Sequence, residues 1–498
     1  MINKVILFLE NLDERQTLVV LVLIAFGLRL YAVLMAKGIA VDSAAYGFMA
    51  RDFMKGDLLK ALSTPFPPFY PFLISLISSN PSEVEIRGRF LSLIIGTLAI
   101  IPVYYLAREI LGQKRAILSC LFYVFHPYLV TYSGMFLTEA TYWGLLALSA
   151  YFFWKGLVRE SVLRLMISGS LLAFSYLTRP EGMGYLFVFL IWVLVHGGFK
   201  RRWVKKSLLI GGLILPFLFL SIPYIIYIHH ETGQWLISKK AVKAQSEVLD
   251  LGKHETDQMI ANLFGMAGNT ICNLPYTLYH YLRAYHFTLW PFLFFGLIRR
   301  RERKAKEELF LTSMVLFHLV SLATFIPSTI RFSVPVIPLS LFWAGAGVLE
   351  MGSYLQRIKM VKPANLLLFF IVLSLLAQLP QSLRPERRHR ADQKKVGIWL
   401  KQNTPEDAII MSNSPIETFY AERAFVALPS EKPGNPRRSY DEVIEFARKK
   451  GIRYILIDQN TQELNPDFIA SIRKEDLKEC YKHEKKDGDW IILYEVMD

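Results

Sequence analysis

The sequence predicts a polytopic α-helical membrane protein of about eleven spans, followed by a small α/β domain outside the membrane. Three observations carry that expectation. Hydrophobic residues make up 53% of the 498 positions, charged ones only 20%, and mean hydropathy is +0.31. Apolar runs recur with close to the roughly 20 residues that a helix needs to cross the hydrocarbon layer. After Leu379-Pro380 the composition changes abruptly. The expected division is therefore a membrane part over 1–380 and a domain over 381–498.

The runs are 17–36, 90–107, 116–133, 140–154, 165–178, 183–197, 207–228, 286–298, 309–327, 332–349 and 364–380, with 69–79 as an ambiguous extra. The first is too long for the core of a cleavable leader and reads as a retained signal-anchor helix. The formal charge is +15, but from Gln381 onward 21 Lys+Arg face 21 Asp+Glu, so the excess belongs to the membrane part. With the N-terminus in the cytosol, the connections 1–16, 108–115, 155–164, 199–206, 299–308 and 350–363 hold 22 basic against 9 acidic residues. That bias orients the chain by the positive-inside rule. It also makes the charge a topology signal and excludes nucleic acid as the partner. The first outer loop (37–89), the large outer loop (229–285) and the C-terminal domain then face away from the cytosol.

The first outer loop concentrates chemistry. DSAAYGFMARDFMKG reads as a short amphipathic helix, with Ala45, Phe48, Met49 and Phe53 on one side and Arg51, Asp52 and Lys55 on the other, stopped by Gly56. Asp42 has two compatible readings. One is a helix N-cap; the other is a base that takes a proton from an attacking hydroxyl. The segment Pro65-Phe66-Pro67-Pro68-Phe69-Tyr70-Pro71 is too proline-rich to span and too aromatic to float in water, so it belongs at the membrane surface.

Three further features lie on the same side. Thr138-Glu139 begins the fourth span, and a carboxyl at that boundary either faces water or shares a site with Asp42. Arg179 and Glu181 sit in the LTRPEG turn, and Arg331 opens the STIRFSVPVIPL run. Each arginine has a plain reading, a packing pair with Glu139 or Glu181. Each also has a functional one, a guanidinium gripping a phosphate. Tyr46, one turn from Asp42, reads as packing more readily than as chemistry. The aromatic run 276–287 reads as an interfacial belt and His126 as structural. No HExxH, paired-histidine spacing or phosphate loop occurs, and Cys120, Cys272 and Cys480 have no CxxC or metal spacing; Cys272 and Cys480 could meet on one side, but no disulfide framework is implied. No cofactor is assigned, and a divalent metal has no support in these motifs.

Beyond Pro380, residues 392–402 read as a helix, AIIMSN and FVAL as strands, and RYILID and DWIILYEV as strands. SYDEVIEFARKKG carries Ser439 as N-cap, Glu442 three residues on, and Gly451 as a stop.

Taken in order, an acid in the first outer loop, a helix ending in Gly, PPFYP, RFLSLIIGTLAIIPVYYLAREILG, a TE pair, LTRPEG and RFSVPVIPL resemble the GT-C membrane glycosyltransferases. The branch is that of protein O-mannosyltransferases and lipid A aminoarabinose transferases, and the resemblance covers about residues 15–350. It implies that Asp42 is the catalytic base and that outer-face basic residues hold the lipid phosphate, with Arg331 the best candidate and Arg179 the weaker one; Glu139 is the candidate for a second carboxylate. Tyr46, Pro67, Pro68, Tyr70 and Glu181 complete the site as substrate contacts. The implied reaction moves a sugar from a polyprenyl-phosphate donor to a protein, lipid or glycan hydroxyl on the outer face of the cell membrane, with inversion. Ser43 stands where many relatives have a second acid, which argues against metal at the loop. Phe66 stands where aminoarabinose transferases often have Lys, which argues against that substrate. Two other readings compete. One is a transporter or flippase of a lipid-linked solute, which would show broken helices near the midplane and an internal repeat. The other is a non-catalytic assembly protein working through its tail.

Overall fold

The computed structural model describes residues 13–196, 203–239, 255–298, 305–325, 329–429, 439–485 and 488–497. The basic clusters at 200–202 and 299–304 and residues 240–254 of the large outer loop lie outside the described residues. The chain forms two compact units. One comprises Met1–Met35, Pro65–Tyr70 and Gly88–Arg384; the other comprises Ala36–Thr64, Pro71–Arg87 and Pro385–Asp498.

The first unit is helical. The described part of each of the eleven apolar runs is largely helical, yet among the described residues six helices are long and apolar enough to cross a membrane: Glu14–Met35, Pro81–Leu111, Trp203–Thr232, Lys306–Phe325, Ile330–Arg357 and Pro363–Ser382. Gln113–Phe125 and Pro127–Gly134 make a seventh if counted together, bent by 55° at His126-Pro127, where proline removes a backbone donor. The expected eleven is larger because Val162–Tyr176, Pro180–Val195 and Phe287–Ile298 are shorter than a span requires, and Glu139–Val158, though 20 residues long, is not among the helices apolar enough to count as one. Glu139–Val158 and Ile337–Arg357 are long helices buried along most of their length. Close helix approach depends on missing side chains. A Cβ on Gly347 would lie 1.7 Å from the Phe292 carbonyl oxygen, and one on Gly296 would lie 1.9 Å from that of Trp343.

The second unit is built on a five-stranded sheet: β1 (Ile409–Ser412), β2 (Ala424–Ala427), β3 (Tyr454–Asp458), β4 (Leu477–Glu484) and β5 (Trp490–Val496), in the order β2-β1-β3-β5-β4. β1 runs parallel to β2 and β3, whereas β5 is antiparallel to β3 and β4. Central β3 is buried throughout because helices cover both faces. Val443, Ile444, Ala447 and Phe468 pack with Ile455 and Ile457 on one face, and Val396, Leu400 and Ala421 pack with Leu456 and Ile491 on the other. The Tyr440–Lys449 helix begins with the expected capping box, in which Ser439 Oγ accepts from the Glu442 N–H. The remaining expected strands and the 391–403 helix are present, and β4 is an additional edge strand.

Glu417, in the Pro415–Ala421 helix, is fully buried. Its Oε1 accepts from Gln393 Nε2 at 2.7 Å, while Oε2 has no partner among the described residues. Burial, more than the neighbouring Asp458, pushes its pKa up from 4.5 to about 7. A carboxyl whose folded pKa is raised contributes stability fully below its unfolded value. That contribution is lost as pH rises through the folded value, and here the loss amounts to about 3 kcal/mol between pH 4.5 and 7. Glu417→Gln is therefore expected to flatten this part of the stability-against-pH curve and to raise the unfolding temperature at pH 8. Calorimetry at pH 5 and pH 8 checks both.

Candidate functional site

Four of the expected site residues meet in the helical unit. Glu139 occupies the first turn of its helix, where a carboxylate complements the positive end of the helix dipole. Arg179 takes extended backbone (φ −148°, ψ 133°) before Pro180, because a residue preceding proline is pushed away from helical angles. That geometry carries its side chain back to Glu139. Arg331 lies in the short Ile330–Ser333 helix, 192 residues further along the chain than Glu139.

Glu139 Oε1 accepts from Arg179 Nη1 at 3.1 Å and also from Arg331 Nε. Arg179 Nη2 donates to Glu181 Oε1 at 2.8 Å. Side-chain exposure is 0% for Glu139, 9% for Arg179, 11% for Glu181 and 23% for Arg331. The cluster therefore has a buried pivot and one accessible guanidinium. Arg179 lies 5.3 Å from the centre of the Phe332 ring and 5.7 Å from that of Tyr142.

His318 fixes the Arg331 segment from behind. Its Nε2 pairs with the Phe332 carbonyl at 2.9 Å and its Nδ1 with the Tyr185 hydroxyl at 3.1 Å. A carbonyl only accepts, so Nε2 carries the proton and Nδ1 accepts from Tyr185. The sequence signal for His318 was available, since it is the one ionisable side chain in the 309–327 run. Arg29 is a second such residue. It is fully buried in Glu14–Met35, bonded to Ser133 Oγ (3.2 Å) and the Ala25 carbonyl (3.2 Å), with its guanidinium 5.0 Å from the centre of the Tyr123 ring.

Several buried polar atoms around the cluster have no partner among the described residues: Glu139 Oε2, Glu181 Oε2, Arg179 Nε, and the hydroxyls of Thr138, Thr141 and Tyr142. Native interiors rarely leave such groups unpaired.

The proline-aromatic segment is anchored beside Arg179. The Phe69 N–H donates to the Leu177 carbonyl at 2.9 Å, and the Phe69 ring stacks on Phe174 at 4.5 Å. Pro67 is buried and Pro68 partly so. Tyr70 is fully buried, with its hydroxyl 3.0 Å from the Gly88 carbonyl and 2.9 Å from Ser92 Oγ. Pro67 and Tyr70 therefore anchor this segment from within the unit.

Asp42 and Tyr46 belong to the other unit, in the Val41–Met54 helix. The N-cap is Ala40, whose N–H donates to Ser43 Oγ at 3.2 Å, so Asp42 lies inside the first turn and does not cap the helix. Asp42 is partly buried and Tyr46 is buried. The expected polar side of this helix needs correcting at Arg51, which is buried. Among the described residues no group of three or more His, Cys, Asp or Glu could hold a metal ion. The cysteines are free.

Residues 66–227 match the family model of dolichyl-phosphate-mannose-protein mannosyltransferases. No curated protein matches the chain. Among solved structures, the chain is similar to ArnT from Cupriavidus metallidurans bound to undecaprenyl phosphate, at 12% identity and a TM-score of 0.60, covering 95% of this chain and 97% of that one. It is also similar to the oligosaccharyltransferase of Archaeoglobus fulgidus in its apo form, at 13% identity and a TM-score of 0.55, covering 97% of this chain and 74% of that one. The archaeal oligosaccharyltransferase AglB from the same organism, in complex with an inhibitory peptide and a dolichol-phosphate, matches at 13% identity and a TM-score of 0.51, covering 96% and 74%. Likeness at this identity is likeness of fold, and the fold is GT-C.

Proposed function

We propose that this GT-C chain is an inverting glycosyltransferase that moves a sugar from a polyprenyl-phosphate donor to a hydroxyl acceptor on the outer face of the membrane. The observation that carries the reading is the buried Glu139–Arg179–Arg331 cluster, with Arg331 as its accessible guanidinium. Arg331 grips the donor phosphate and Arg179 backs it. Glu139 serves as the counter-ion that holds both arginines in place. The acceptor oxygen attacks the anomeric carbon as the bond from that carbon to the phosphate oxygen breaks. The hydroxyl proton passes to Asp42, and the lipid phosphate leaves with the electron pair, its growing charge met by Arg331.

If Arg331 is the phosphate grip, undecaprenyl phosphate is expected to raise the unfolding temperature of the detergent-solubilised protein, and Arg331→Met to abolish that rise against its own baseline. Equal stabilisation of both proteins would remove Arg331 from the phosphate site. The sequence-based orientation places the C-terminal unit outside. Exposed Cys480 of a Cys272→Ser variant is then expected to react with a membrane-impermeant maleimide in intact cells. Labelling only after permeabilisation would invert the orientation.

A further inference from the structure

The helix that carries Asp42 is built into the same compact unit as the C-terminal sheet, and one guanidinium ties the pieces together. Arg51, about two and a half helical turns after Asp42, donates through Nη1 to the Phe419 carbonyl at 2.9 Å and through Nε to the Pro81 carbonyl at 3.1 Å. Its guanidinium carbon stands 4.2 Å from the centre of the Phe419 ring. Three segments far apart in sequence therefore meet on one buried side chain: the Asp42 helix, the Pro81 turn and the Pro415–Ala421 helix.

Packing repeats the message. Phe48 meets Phe419 edge-on at 6.0 Å and stacks over Phe425, in β2, at 6.4 Å. A Cβ on Gly47 would fall 2.2 Å from Phe419 Cε2, so the ring occupies the notch that this glycine leaves. Glu85 binds Lys394 at 2.9 Å, and Lys394 lies 4.9 Å from the centre of the Tyr420 ring. The guanidinium is bonded to two carbonyls in fixed fork geometry, which specifies orientation more strictly than a surface ion pair would.

We propose that Arg51 and Phe419 are positioning residues: the C-terminal sheet, through the Pro415–Ala421 helix, holds the Asp42 helix in its working register. This rests on Asp42 being the base of the proposed transfer. It gives the C-terminal unit a part in the reaction without contact with the reacting atoms. Misplacement of a catalytic group by an ångström costs up to about a hundredfold in rate, so loosening the mount should act on turnover.

The test has two arms, run on the full-length protein in proteoliposomes with wild type, Arg51→Met, Arg51→Lys and Gly47→Ala. Hydrogen exchange over residues 41–54 is expected to rise about tenfold in Arg51→Met and Gly47→Ala, with residues 139–158 unchanged. In the transfer assay kcat should fall about tenfold or more with donor KM within twofold, and Arg51→Lys should recover part of the loss by keeping one donor and the charge. Unchanged exchange over 41–54 in Arg51→Met overturns the mount whatever the chemistry. Raised exchange with unchanged kcat overturns the positioning role. If Asp42→Asn transfers as wild type does, the proposed function has failed instead, and the exchange arm alone decides the mount.

Discussion

Glu139→Ala is expected to destabilise the helical unit by about 3–5 kcal/mol, enough to deplete the protein from the membrane. Its side chain is fully buried and one oxygen serves two guanidiniums, so removing it takes a shared counter-charge away from Arg179 and Arg331 at once. Glu181 offsets part of the charge on Arg179, through the 2.8 Å bond from Arg179 Nη2 to Glu181 Oε1. Glu139→Gln keeps the volume and one acceptor, and its loss should be smaller. Thermal unfolding in detergent, with Arg331→Met added to close a double-mutant cycle, measures the coupling. The sequence reading made Glu139 a second catalytic carboxylate. That role predicts a Glu139→Gln protein of wild-type stability with transfer lost, whereas the counter-ion role predicts stability and transfer falling together.

Asp42→Asn is expected to reduce transfer by about a thousandfold, within the range that a general base contributes. The change removes the proton acceptor and keeps shape. Asp42 is partly exposed in the first turn of its helix and Asn keeps its size, so stability should move little beside the loss of transfer. A loss confined to kcat, with donor KM unchanged, is the signature of an interaction made only in the transition state. A parallel rise in KM would instead make Asp42 a donor-binding residue.

Much of this was legible in the chain, and the parts that were not share a cause. Charges beside apolar runs are costly, so Glu139, Arg179 and Arg331 stand out at span boundaries, and the structure brings them together. The capping box of the Tyr440–Lys449 helix was readable because its partners lie three residues apart. Span number was less so: an apolar run reveals that it is buried, but 15 residues at 162–176 do not reveal whether the helix crosses the layer. Long-range partnership left no local trace. Arg51 pairs with a carbonyl 368 residues away, so its place among Asp52 and Lys55 read as a solvated side. β4, LKECYKHE, was missed because an edge strand is guarded by charge and lacks apolar alternation. Asp42 moved from N-cap to first turn because helix boundaries shift by a residue or two for reasons the sequence barely encodes.

The central claim is sugar transfer from a polyprenyl phosphate with inversion. The measurement that addresses it most directly is the anomeric configuration of the product, together with the lipid released, after wild-type proteoliposomes act on a panel of polyprenyl-phosphate sugars. The account predicts a product of opposite configuration to the donor and one polyprenyl monophosphate released per sugar moved. Retained configuration, or release of a polyprenyl diphosphate, would contradict it.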